Sequence, residues 1–213
     1  MQYKSFFEDI VNEDYPSAWN KQEFEKISSF SGKLKYANTH LQKIASGSAR
    51  SVFKIDDQKA LKIAKNKKGL AQNSVESEPF IQNYDVVARI FDRGDEVQNI
   101  GPFWVEMELA RKVTPTKFRE ITGVDFNKFS AYILSVALDK YSKIYDPSQN
   151  RQMEENEFVQ SILRLLADYD MSHGDCARLS SHGLVQRDGK EAIVLVDFGT
   201  TRKVWNDYYR VQL

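Results

Sequence analysis

The sequence predicts an α+β fold in two lobes, a small antiparallel sheet followed by a mainly helical lobe. Three observations carry that prediction. Between residues 41 and 109, short apolar runs alternate with turn-forming clusters, the pattern of successive strands. From about residue 116 to 169, apolar residues recur at helical spacing. Near the end of the chain, Asp188-Gly189 joins two further strand-like runs, and Asp-Gly between such runs is a strong signal for a tight hairpin.

Length and composition bound the rest. A chain of 213 residues can bury a substantial core and fits one domain or two small lobes. Thirty basic side chains balance 30 acidic ones, which gives no overall field for nucleic acid or an acidic membrane. The basic cluster Lys65, Lys67 and Lys68 is the sole feature in favour of nucleic acid, which is not expected as a partner. With 41% hydrophobic residues the chain is too apolar for disorder. The single cysteine, Cys176, suits a reducing cytoplasm and excludes an internal disulfide. The N-terminal segment has no unbroken apolar run of the signal-peptide kind, and no stretch approaches a membrane span. A cytoplasmic protein with no membrane partner is the expectation.

Residues 1–38 form a helical extension, with Phe6, Phe7, Ile10 and Val11, then Phe24, Ile27 and Phe30, at helical spacing. Residues 39–108 make the sheet lobe. Ser46-Gly47-Ser48 breaks the run from Leu41, and Asp56-Asp57-Gln58 turns it again. Ala60–Ala64 is a strand with one lysine, Lys62, among apolar residues, and an ammonium there is costly to desolvate unless it is paired. The helix predicted over residues 69–79 offers Glu76, or failing that Glu78, as the partner. Val86–Asp92 and Phe103–Leu109 supply two more strands around a polar turn. Residues 109–213 make the second lobe, with helices from Thr116, from Asp125 to about Lys143, and from Glu154 to Tyr169.

The stretch from Met171 to Gly199 organises the chain. It reads as loop, strand, tight turn, strand, with Asp175 before the hairpin and Asp197 after it. A hairpin returns its ends to one edge, so the two carboxylates meet in space. Such a pair can orient a hydroxyl and hold a divalent cation, as phosphoryl transfer requires.

His173-Gly174-Asp175 and Asp197-Phe198-Gly199, joined by a hairpin, resemble the catalytic loop and metal-binding turn of the protein-kinase-like superfamily. Gly after His is similar to the aminoglycoside and choline kinase branch. The order of motifs also resembles small kinase-like proteins of tailed bacteriophages, whose K-G-x-A-Q-N segment is similar to the residues before Glu76. The resemblance implies a bilobal protein-kinase-like fold, ATP and Mg2+ as cofactors, and a site assembled in chain order. Ser46, Gly47, Ser48, Ala49 and Arg50 would lie over the phosphates as a glycine-loop equivalent. Lys62, paired to Glu76, would hold the α- and β-phosphates. The main chain at Glu108 to Ala110 would meet the base. Asp175 would orient the acceptor hydroxyl, and Asp197 would bind the metal.

The pattern departs from the family in three places. Of the three loop glycines only Gly47 remains, with Ala45 and Arg50 at the others. The second metal ligand, normally Asn, falls at Ser181 or, with a one-residue shift, Ser180, and a serine hydroxyl is a poorer magnesium ligand. Only 14 residues follow Gly199 in the chain of 213, and they contain no Ala-Pro-Glu, so the expectation is a minimal core without a protein-docking platform. Two functions follow. One is an ATP-dependent phosphotransferase acting on a Ser/Thr or other hydroxyl acceptor. The other is a phage-type pseudokinase that works by binding a host or virion protein, in the host cytoplasm.

Overall fold

The structure, a computed structural model, describes residues 15–137 and 147–210. Expectations for residues 1–14, and for the far end of the helix projected to Lys143, lie outside the described residues. Two short helices come first, α1 (Lys21–Lys26), capped by Asn20, and α2 (Phe30–His40), capped by Ser29. Their apolar faces are built into the sheet lobe: Trp19, Phe24 and Ala37 share one core with Phe53, Leu61, Ile63 and Trp104. Lys33 is buried against this seam, donating to the Phe24 carbonyl at 2.7 Å with its ammonium 4.3 Å from the Phe24 ring. Burial draws its pKa down to about 8.

The sheet follows. Strands β1 (Gln42–Ser46), β2 (Arg50–Lys54) and β3 (Lys59–Ala64) form a meander, and helix α3 (Lys67–Glu76) crosses behind it. β4 (Ile90–Arg93), the two-residue strands β5 (Glu96–Val97) and β6 (Gly101–Pro102), and β7 (Trp104–Glu108) complete the lobe. The five-stranded sheet runs β1-β2-β3-β7-β4. Alternation along β3 sends Leu61 and Ile63 into the core under α1 and α2, while Ala60 and Lys62 face the cleft on the other side. The strand expected over Val86–Asp92 is shorter than predicted. Its first half turns away from the sheet, because Ala88 donates to the Leu195 carbonyl and Leu195 to that of Val86.

After β8 (Arg111–Lys112) the chain becomes helical through α4 (Pro115–Thr122), α5 (Phe126–Ala137), α6 (Pro147–Glu154) and α7 (Glu157–Tyr169). α4 opens on the Thr114 cap and ends at Gly123, whose φ of 79° is natural for glycine. One predicted helix from Glu154 to Tyr169 is in fact broken, since the Asn156 side chain accepts from the Val159 amide and starts α7 anew. A single turn, α8 (His173–Cys176), carries Asp175. The hairpin β9 (His182–Arg187) and β10 (Lys190–Leu195) turns at Asp188 and Gly189 with φ of 51° and 73°, as the sequence predicts. α9 (Arg202–Tyr208) closes the described chain. The fold is thus α+β in two lobes, with the cleft between them. No helix among the described residues is long and apolar enough to cross a membrane.

Gly69 holds α3 against the β1–β2 loop: a Cβ there would lie 2.3 Å from the Ala49 carbonyl oxygen and 2.9 Å from Ala64. Backbone cannot yield as a flexible side chain can. Gly69→Ala is expected to destabilise the chain by about 1–3 kcal/mol, the usual cost of overpacking. Denaturant unfolding checks this, and an unchanged midpoint would show that α3 is free to move away.

Candidate active site

The cleft, about 620 Å³, is roofed by the β1–β2 loop and floored by the segments on either side of the β9–β10 hairpin, Asp175 to Ser180 before it and Val196 and Asp197 after it. Its core is a cluster of four charges, three of them buried (Lys62, Glu76 and Arg50) and the fourth, Asp197, open to solvent on one side. Lys62, fixed in β3 opposite Val52, donates to both carboxylate oxygens of Glu76, at 3.1 and 2.8 Å, and to the Val196 carbonyl. Glu76, at the end of α3, is fully buried and also accepts from the Phe198 amide at 3.2 Å. Glu78 lies elsewhere: it caps the turn at Pro79 and meets the Tyr169 hydroxyl at 3.2 Å.

The third charge is Arg50. The sequence places it at the end of a phosphate loop; the structure makes it the first residue of β2, in register with Ala64. Its guanidinium reaches under the loop, gripping Glu76 at 2.7 and 2.9 Å and Asp197 at 2.5 Å. Asn73 accepts from it at 3.4 Å. Burial opposes the charge on Arg50, but the carboxylates of Glu76 and Asp197 outweigh it and hold its pKa above the usual value. For Lys62, burial and then the adjacent Arg50 prevail and pull the pKa down. Asp197 is the converse: burial opposes its charge, yet Arg50 and Lys62 keep its carboxyl below the usual range.

The remaining predicted residues fall around this cluster. Ser46, Gly47, Ser48 and Ala49 line the roof. Their loop is tied down by its own bonds: the Gly47 amide donates to the Arg50 carbonyl at 2.9 Å, and Lys65 and Asn66 donate to the Gly47 and Ser48 carbonyls at 2.8 and 3.0 Å. Glu108, Leu109 and Ala110 line the inner wall, but the Leu109 amide already donates to the Gln58 carbonyl at 2.6 Å. The Glu108 carboxylate binds Arg187 at 2.6 Å across the lobes. Asp175 reaches the cleft from the opposite side, held by the Ser172 cap and paired with Arg178 at 3.1 Å. Ser180 lines the cleft, whereas Ser181 is buried, its carbonyl accepting from the Val196 amide at 2.8 Å.

The resemblance implies magnesium at Asp197 with Ser181 as a second ligand, and the residues do not fit that ion. A guanidinium already occupies one Asp197 oxygen and is fixed to a buried Glu76. Ser181 sits behind the cleft wall. No group of three His, Cys, Asp or Glu side chains suited to a metal occurs among the described residues.

Several cleft residues were not foreseen. Trp205 and Tyr209 line it from the C-terminal end, with rings stacked at 5.5 Å. The Tyr209 hydroxyl accepts from Gln72 at 3.1 Å, and Lys68 covers the ring at 4.6 Å. The signal was a pair of aromatics four apart, which place both on one helix face.

His182 has a role the sequence did not reveal. Its Nδ1 lies 2.9 Å from the Arg178 carbonyl, which can only accept, so Nδ1 carries the proton. Nε2 is buried without a hydrogen-bond partner among the edge-on rings of Phe118, Phe126 and Phe129. The imidazole thus props the loop carrying Asp175, and burial pushes its pKa down to about 4.

No family model and no curated protein matches the chain. Solved structures do. The GDP and kanamycin complex of APH(2")-IIia is 11% identical, covers 75% of this chain and 67% of that one, and superposes with a TM-score of 0.39. The GDP complex of a point mutant of an aminoglycoside 2'-phosphotransferase-IIIa is 10% identical, covers 78% and 68%, and gives a TM-score of 0.38.

Because the unfolded chain takes up the His182 proton near pH 6.5 and the folded chain only near 4, the unfolded state binds more protons between those values. Stability is therefore full above about pH 6.5 and falls as pH drops towards 4, by on the order of 3 kcal/mol from this group. His182→Phe is expected to cost about 0.5–1.5 kcal/mol at neutral pH, through loss of the Nδ1 bond to the Arg178 carbonyl, which keeps the Ser181 amide at 3.0 Å, and to flatten that acid limb. Denaturant unfolding at a series of pH values checks both. An acid limb of equal slope in the variant would remove His182 as its source.

Proposed function

We propose that the chain is a kinase-like protein that binds a nucleoside triphosphate in the cleft and transfers its terminal phosphoryl group to a hydroxyl acceptor. The observation that carries this is the Lys62–Glu76 pair, buried beneath a cleft that also receives Asp175 and Asp197. A buried ion pair is a poor way to gain stability, since desolvation consumes most of its attraction. Its value here is positional: Glu76 holds the Lys62 ammonium at the cleft wall, where it meets the phosphates. The β1–β2 loop covers the phosphate chain, and the Met107–Ala110 segment meets the base. Asp175 accepts the hydrogen bond of the incoming hydroxyl and directs its lone pair in line with the breaking bond. Arg178, beside it, is placed to meet charge on the transferred group.

A second reading is favoured by a specific observation. Arg50 on Asp197, with Tyr209 bonded to Gln72, makes the resting cleft self-satisfied. A pseudokinase that uses the fold to bind a host or virion protein needs no more than that.

Thermal unfolding with millimolar ATP separates the two. Ligand at 100 times its Kd stabilises by about 2.7 kcal/mol, and the first reading predicts a shift of that order in the wild type, lost in Lys62→Ala. Asp175→Asn is expected to keep the shift and to lose phosphoryl transfer by a factor of about 10²–10⁴, measured as hydrolysis or as transfer to trial hydroxyl acceptors. An unshifted wild type would leave the partner-binding reading standing.

A further inference from the structure

We infer that Arg50 takes the place of a divalent cation in this cleft, so that the nucleotide binds as its metal-free anion. The inference rests on the nucleotide reading above and adds to it the charge form of the ligand. Arg50 is anchored at its Cα by the β2–β3 ladder and buried, with 7% of its surface exposed, so it is not a loop side chain awaiting phosphate. Its planar fork engages both Glu76 oxygens and spans to Asp197. Releasing Asp197 alone would leave the two bonds to Glu76 intact and the guanidinium in place.

Charge balance agrees. Arg50 and Lys62 offset Glu76 and Asp197 one for one. A magnesium ion on the free Asp197 oxygen would sit beside a fixed guanidinium and must also reach near-ideal octahedral geometry, for which this wall supplies one carboxylate. The Arg50 guanidinium, in contrast, does not deprotonate and holds a fixed positive charge at this wall, with its terminal N–H groups directed at Glu76, Asp197 and Asn73. Arg178, 68% exposed at its side chain and lining the same cleft, adds a mobile cation for the phosphate chain beside the fixed Arg50. The Asp197 side chain, 57% exposed, is open to solvent on the face that Arg50 does not cover. The site thus carries a resident cation where kinases recruit a metal.

The test is ATP binding to the full chain by calorimetry, in EDTA and in excess Mg2+, together with Mn2+ alone followed by its paramagnetic signal. Affinity in EDTA is expected to be equal to that in Mg2+ within about threefold, and Mn2+ without nucleotide is expected not to bind at millimolar concentration. Arg50→Met, which frees the Asp197 carboxylate, is expected to acquire Mn2+ binding and to shift ATP affinity in favour of the magnesium complex. Arg50→Lys, which keeps a cation at the wall, should acquire neither. ATP binding at least tenfold tighter with Mg2+ in the wild type would overturn the inference while sparing the nucleotide reading. Absence of ATP binding in both buffers would overturn the two together. Should Arg50→Met fail to fold, the wild-type comparison decides alone.

Discussion

The ion cluster of Lys62, Glu76, Arg50 and Asp197 is the constraint on which the remaining structure depends. It joins β2, β3, α3 and the turn after β10, and so bridges both lobes at one point. Each charge is tolerable only because the others are present: a buried Glu76 facing Lys62 alone would still lack partners for its remaining lone pairs, and those come from Arg50 and the Phe198 amide. The geometry of α3 follows from this. The helix must end where Glu76 meets the sheet, and Gly69 lets its first turn slide beneath the Ala49 carbonyl.

Away from the cluster the lobes are joined by main chain, by Arg187 and by side-chain bonds such as Tyr169 to Glu78 at 3.2 Å and Gln72 to Thr200 at 3.0 Å. Val87 bridges to Leu195, and Arg187 donates to the Asp85 and Val87 carbonyls at 2.6 and 2.7 Å while pairing with Glu108. The hairpin that carries Asp197 is therefore fixed to the segment that forms the inner wall of the cleft. His182, at the start of the same hairpin, braces the loop bearing Asp175 from within an aromatic core. The two acidic residues thus reach the cleft on supports that leave little freedom to either.

Much of this was legible in local patterns. The Asp188-Gly189 turn demands positive φ and gave the hairpin; the lone lysine in Ala60–Ala64 demanded a carboxylate, and Glu76 supplies it. What was not legible depended on register and on tertiary choice. Whether Arg50 belongs to the loop or to β2 is a matter of one residue, yet that residue decides whether its side chain points to solvent or, with Val52, to the cleft. Val86–Ala88 has strand composition but finds its partner in the other lobe, a pairing that no local pattern encodes. Which of Ser180 and Ser181 faces the cleft depends on the turn before β9, and there Ser180 lines it while Ser181 is buried. Trp205 and Tyr209 gave no expectation, because nothing in their four-residue spacing says that the face opposite is a cleft.

Hydrogen exchange of the full chain with and without ATP tests most directly whether this cleft holds a nucleotide. Nucleotide binding there predicts slower exchange in two separated segments at once, the β1–β2 loop at Ser46–Ala49 and the inner wall at Met107–Ala110, with the helical face around α4 and α5 unchanged. Exchange that is unaltered in both segments at saturating ATP, or altered only outside them, would contradict it.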